Sequence, residues 1–127
     1  MTLATSNILA LRKSLQNLLE EGIENRMQRY QSQAIRLREG LRAIGMPPYT
    51  EDRDMAPVIT AAYGPPDIPT GQIISYLEQK RQIKIAGGLG ALKDKIFRIG
   101  HMSPAIGNDD IDETLDALAE AAEKLKT

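Results

Sequence analysis

Apolar or small residues fall at Ile8, Leu11, Leu15, Leu19, Ile23, Met27, Tyr30, Ala34, Leu37, Leu41 and Ile44. Ten steps over 36 residues give a mean of 3.6, the α-helical period, and predict one long helix over 8–44. Gly45 and the Pro47-Pro48 pair stop it. Gly22 is its weak point and a place where it can kink. A straight helix of this length would be about 55 Å long. A compact domain of this size has a diameter of only about 36 Å. One end should therefore overhang, and the stripe Ile8, Leu11, Leu15 and Leu18 would need a surface the domain does not supply. The alternative is a break at Gly22 that folds the first half back as a hairpin.

Shorter patterns follow. The run 47–56 is a polar connector, and its acidic stretch, broken by Arg53, lacks calcium-loop spacing. Pro57 to Tyr63 reads as a strand, with proline tolerated at its first position. Gly64-Pro65-Pro66 ends it, and a helix with Thr70 as candidate cap runs to about Arg81, with Ile73, Ile74 and Leu77 on one face. Ile83, Ile85 and Ala86 form a short β-rich run. A loop over 87–95 leads into the strand Ile96-Phe97-Arg98-Ile99. Ser103 to Asn108 is a loop, and Asn108 or Asp109 is the candidate cap of a last helix. In that helix Ile111, Leu115, Leu118, Ala122 and Leu125 form the apolar stripe, with acids in the first turn and lysines in the last. The order helix, strand, helix, strand, strand, helix predicts an α+β fold: a small, mostly antiparallel sheet with helices on one face.

The 127 residues suit a single domain, 1–127. Sixteen basic and seventeen acidic residues nearly cancel, which argues against a nucleic-acid partner. With no cysteine, thiol catalysis and thiolate metal sites are excluded, and the single histidine, His101, cannot form a multi-histidine metal site. No apolar run is long enough to span a membrane. The first residues lack the apolar region and cleavage site of a signal peptide, so a cytoplasmic location is the expectation.

The stretch richest in chemistry is 83–102, IKIAGGLGALKDKIFRIGHM. Alternation puts Ile96, Arg98 and Gly100 on one face of a strand and Phe97, Ile99 and His101 on the other. A guanidinium among apolar neighbours is costly unless paired. Its planar fork best suits a carboxylate, from a bound ligand or from one of the chain's own acids. The glycines at 87, 88 and 90 fit neither a P-loop nor a dinucleotide fingerprint, so a tight inter-strand loop is favoured over a phosphate cradle with Lys93 or Lys95. His101 has no serine, cysteine or carboxylate at triad-like spacing and reads as a packing or hydrogen-bonding residue.

The segment GGLGALKDKIFRIGHM, with LLEEGIENR near the start, resembles the C-terminal small domain of class V, fold-type I aminotransferases of the alanine–glyoxylate / serine–pyruvate group. The resemblance covers nearly the whole chain. It departs at Asp94 and Ser103, where the family usually has glycine, and at the start, which lacks the family's Thr-Pro step. It implies that Arg98 holds the α-carboxylate of a small amino acid or 2-oxo acid, with Gly88 in the loop lining the substrate site. It implies pyridoxal phosphate (PLP) as cofactor, carried with its Schiff-base lysine by an N-terminal domain that is absent here. None of the seven lysines lies in the family's Ser-x-x-Lys context. The resemblance therefore implies the substrate-clamping part of a transaminase, without catalytic residues or cofactor binding of its own and inactive alone. A non-catalytic amino-acid-binding module, or an oligomerisation module pairing as a homodimer through the first half of the long helix, is the alternative.

Overall fold

The computed structural model describes residues 4–126, so Met1–Leu3 and Thr127 lie outside the described residues. The long apolar repeat is realised as two helices, α1 (Thr5–Glu21) and α2 (Ile23–Ala43). Gly22 separates them at φ +83°, a conformation that side-chain-bearing residues rarely adopt. The step is held across by one carboxylate. Glu21 accepts from Arg26 Nε at 2.6 Å and from Arg29 Nε at 2.7 Å. Hydrogen bonds from Arg29 first, then Arg26, hold the Glu21 carboxyl below its ordinary pKa.

The second half of the repeat packs as predicted. Ala34, Leu37 and Leu41 of α2 are buried. The first half does not fold back: α1 buries none of its residues. Ile8, Leu11 and Leu15 are 59%, 59% and 49% exposed, and Ile23 and Met27 continue the open stripe into α2.

The sheet is antiparallel, in the order β1 (Ile59–Tyr63), β3 (Ile96–Gly100), β2 (Ala86–Gly87). Of the predicted 83–86 run only Ala86 pairs in the sheet, and the strand extends to Gly87. On the outer side of β1, Tyr49 N bonds Ala61 O and Tyr63 N bonds Pro47 O, so the connector shields that edge. Between the strands, α3 (Thr70–Tyr76) continues through a wider π turn, Leu77–Arg81, and ends where Gln82 turns left-handed. Thr70 begins α3, and its hydroxyl donates to Ile96 O instead of capping the helix. The last helix, α4, spans Asn108–Leu125. Gly107 precedes it as the cap, one residue before the predicted Asn108, and its N–H donates to the Asp110 carboxylate in the first turn at 2.7 Å.

Alternation along β1 and β3 sorts the sheet into two faces. Thr60, Ala62, Phe97 and Ile99 are buried beneath α2, α3 and α4, in a core centred on Leu37, Leu41, Ile73, Phe97 and Leu118. A Cβ at Gly40 would lie 2.3 Å from Leu115 Cδ1, so this glycine sets the approach of α2 to α4. The opposite face carries Ile59, Ala61, Tyr63, Ala86, Ile96 and Arg98; Ile96 is buried there, and the others are exposed or half-buried.

Candidate functional site

Arg98 sits mid-strand on the open face of the sheet, with Ala61 opposite it on β1 and Ala86 opposite it on β2. Both neighbours are small, and Gly100, next on the same face, has open space where a Cβ would be. The guanidinium is thus half-buried in a shallow bed that leaves it reachable from outside. Its Nε donates to Gly87 O at 3.0 Å. Among the described residues no carboxylate lies within ion-pair distance of Arg98; the ion pairs join other acids to Arg26, Arg29, Arg36, Arg42, Arg53, Arg81 and Lys84. The internal-salt-bridge alternative therefore fails among the described residues, and neither terminal nitrogen has a hydrogen-bond partner among them.

The loop before Arg98 is tight. Gly88 N donates to Ile96 O, Leu92 N to Leu89 O, Lys93 N to Gly90 O and Lys95 N to Leu92 O. Those amides are used within the hairpin, and the Lys93 and Lys95 side chains are exposed, so the loop is no phosphate cradle. Asp94 has φ +59°, a left-handed conformation that glycine takes without strain and aspartate tolerates better than most residues. Its carbonyl accepts from Thr70 N, tying the loop to the start of α3. Ser103 accepts from Ala105 N in the turn after β3.

His101 belongs to a buried polar chain that sequence patterning does not reveal. Arg38 on α2 is buried; its Nε donates to Thr60 Oγ1 at 3.3 Å and its Nη2 to Ala56 O at 2.8 Å. The Thr60 hydroxyl lies 3.1 Å from His101 Nε2. Thr60 Oγ1 has a lone pair left after accepting from Arg38, so it can donate to Nε2 or accept from it according to the ring tautomer, and among the described residues Nδ1 is buried without a hydrogen-bond partner. Burial first, and the Arg38 cation second, push the imidazole below its ordinary pKa. His101 is 1% exposed, so it is a neutral structural group turned away from the face that carries Arg98. The signal available in the sequence was Arg38 itself, a cation falling between the apolar positions 34, 37 and 41.

A cleft of about 680 Å³ lies beside Tyr63, Pro65, Ile68, Pro69 and Lys95, and Arg98 does not line it. The site at Arg98 is instead a single wall: a cation on an open sheet face that needs an opposing surface to become a pocket. A lysine that holds PLP is activated by desolvation or by neighbouring charge, and all seven lysines here are exposed. Among the described residues no group of three metal-binding side chains occurs, and no helix is long and apolar enough to cross a membrane.

No protein-family model matches the chain. It is 41% identical over 93 residues to an uncharacterised aminotransferase of Methanocaldococcus jannaschii, covering 73% of this chain and 24% of that protein. It is 32% identical over 121 residues to the alanine–glyoxylate aminotransferase of Rattus norvegicus, covering 94% of this chain and 29% of that enzyme. The crystal structure of the ureidoglycine–glyoxylate aminotransferase of Bacillus subtilis superposes on all of this chain with a TM-score of 0.93 and 29% identity, over 33% of its own length. The chain thus spans between 24% and 33% of the length of these relatives.

Proposed function

We propose, from the premise that this chain belongs to the class V aminotransferases as a segment between 24% and 33% of their length, that it is their carboxylate-clamping C-terminal part. Arg98 receives the α-carboxylate of a small amino acid (alanine, serine or aspartate) or of a 2-oxo acid such as glyoxylate or pyruvate. PLP, when bound in the family's other domain, supplies the electron sink for α-proton chemistry. This chain's own residues bind and orient: Arg98 fixes the carboxylate, and Ala61, Ala86 and Gly100 leave room beside it. Alone the chain is inactive, because it has a carboxylate anchor and no site for the cofactor.

The observation that carries this reading is an arginine whose two terminal nitrogens have no partner among the described residues, in a bed of alanines with no carboxylate at ion-pair distance. A second feature fits it. The uncovered stripe on α1 is what a helix would show if it packed on the family's cofactor-bearing domain.

Reconstitution tests the proposal. The chain is mixed with the cofactor-bearing remainder of a relative, and alanine:glyoxylate transamination is followed. Activity is expected in the mixture and none in the chain alone; a folded, associated mixture without activity overturns it. In parallel the chain alone is incubated with PLP, reduced with borohydride and mapped by mass spectrometry. Scattered labelling of exposed lysines is expected. One dominant lysine adduct with a visible absorbance band would make the chain a cofactor-binding protein in its own right.

A further inference from the structure

We propose that Gly88 aims Arg98, a positioning role that takes its purpose from the carboxylate clamp proposed above. Gly88 is not glycine for conformational freedom, since its φ lies outside the left-handed region occupied by Gly22, Gly45 and Gly90. It is glycine for closeness. A Cβ there would lie 2.2 Å from the Leu92 carbonyl oxygen, 2.7 Å from its carbon and 2.8 Å from Ile96 Cγ1. The Leu92 carbonyl cannot readily yield, because it accepts from Lys95 N at 3.1 Å and so closes the turn into β3. Gly88 in turn donates to Ile96 O at 2.9 Å. These contacts hold the 87–88 peptide in place, and the carbonyl they hold, that of Gly87, accepts from Arg98 Nε at 3.0 Å.

The consequence is chemical. With Nε committed to Gly87, a carboxylate meets only the two terminal nitrogens, a head-on grip that fixes the direction from which it arrives. Any side chain at 88 displaces the peptide, frees Nε and lets the long arginine side chain sample other rotamers. Gly87 supplies the contrast, because a Cβ there would meet only Ile74 Cδ1 at 3.3 Å, the end of a flexible side chain.

The test reads the Arg98 Nε–H directly by 15N NMR of the chain alone, the signal being assigned by its loss in Arg98→Lys. In the wild type this proton is expected to exchange more slowly than that of exposed Arg12. In Gly88→Ala its exchange should rise about fivefold or more, the worth of one modest hydrogen bond. In Gly87→Ala it should stay within about twofold. Amide protection of Phe97 and Ile99 reports whether β3 is intact. If Gly88→Ala does not fold, Gly88→Ala/Leu92→Gly takes its place, its second glycine letting the residue-92 carbonyl turn away. An unchanged Nε–H in a folded variant, or rapid exchange in the wild type, overturns the proposal. The measurement uses no substrate or cofactor, so failed reconstitution with a protected Nε–H would sink the transaminase reading and leave the aiming device standing.

Discussion

Replacing Thr60 with valine keeps side-chain shape and removes one hydroxyl. That hydroxyl accepts from Arg38 Nε at 3.3 Å and is hydrogen-bonded to His101 Nε2 at 3.1 Å, and Thr60 is fully buried. A bond from a charged donor contributes about 1.5–3 kcal/mol and a neutral one about 0.5–1.5 kcal/mol. Both distances are long, so the low ends apply and the loss is about 2–3 kcal/mol. The added methyl recovers about 0.8 kcal/mol by burial. The net expectation is a destabilisation of about 1–2 kcal/mol, against a total stability of about 6–15 kcal/mol for a domain of this size. Urea unfolding followed by circular dichroism should show a lower midpoint at unchanged slope, and Tm should fall by about 4–8 °C. A change smaller than about 0.5 kcal/mol would refute the view that Thr60 links Arg38 to His101.

The same network sets a pH dependence. Folding depresses the His101 pKa, so below about pH 6.5 the unfolded chain takes up a proton that the folded one refuses. Stability is therefore fully present above that pH and falls as pH drops towards the folded pKa, by up to about 1.4 kcal/mol per unit. His101→Gln should flatten this slope between about pH 6.5 and 5, above the range where carboxylates contribute, as read from urea midpoints across pH. Arg98→Gln should leave the stability of the chain within about 0.5 kcal/mol, since it breaks one hydrogen bond and no ion pair. In the reconstituted enzyme the same variant should raise KM for the amino acid about a hundredfold, the worth of two charge-assisted bonds. Leu11→Ser with Leu15→Ser should cost the isolated chain less than about 0.5 kcal/mol, because both side chains are about half exposed in it. The double variant should still block association with the cofactor-bearing remainder, measured by ultracentrifugation; normal association would assign the stripe elsewhere.

The sequence by itself determined the element types and their order. Leu37 and Leu41 fall at helical spacing, and Phe97 and Ile99 alternate with Arg98, because burial on one face demands those periods. It also pointed to Arg98, since a cation inside a strand needs a partner, and to the LLEEGIENR and GGLG…FRIGHM segments that carry the resemblance. Where α1 ends was decided by structure: a period of 3.6 runs through Gly22 unbroken, and periodicity carries no sign of a backbone turned to positive φ. So was the partner of Arg98. A hydrogen bond to the Gly87 carbonyl depends on which strand lies beside which, and the pattern of one strand does not contain its register with another. The Arg38–Thr60–His101 chain is the clearest case. Its members are 22 and 41 residues apart, and only the docking of α2 against β1 and β3 brings their polar atoms within reach in a place water does not.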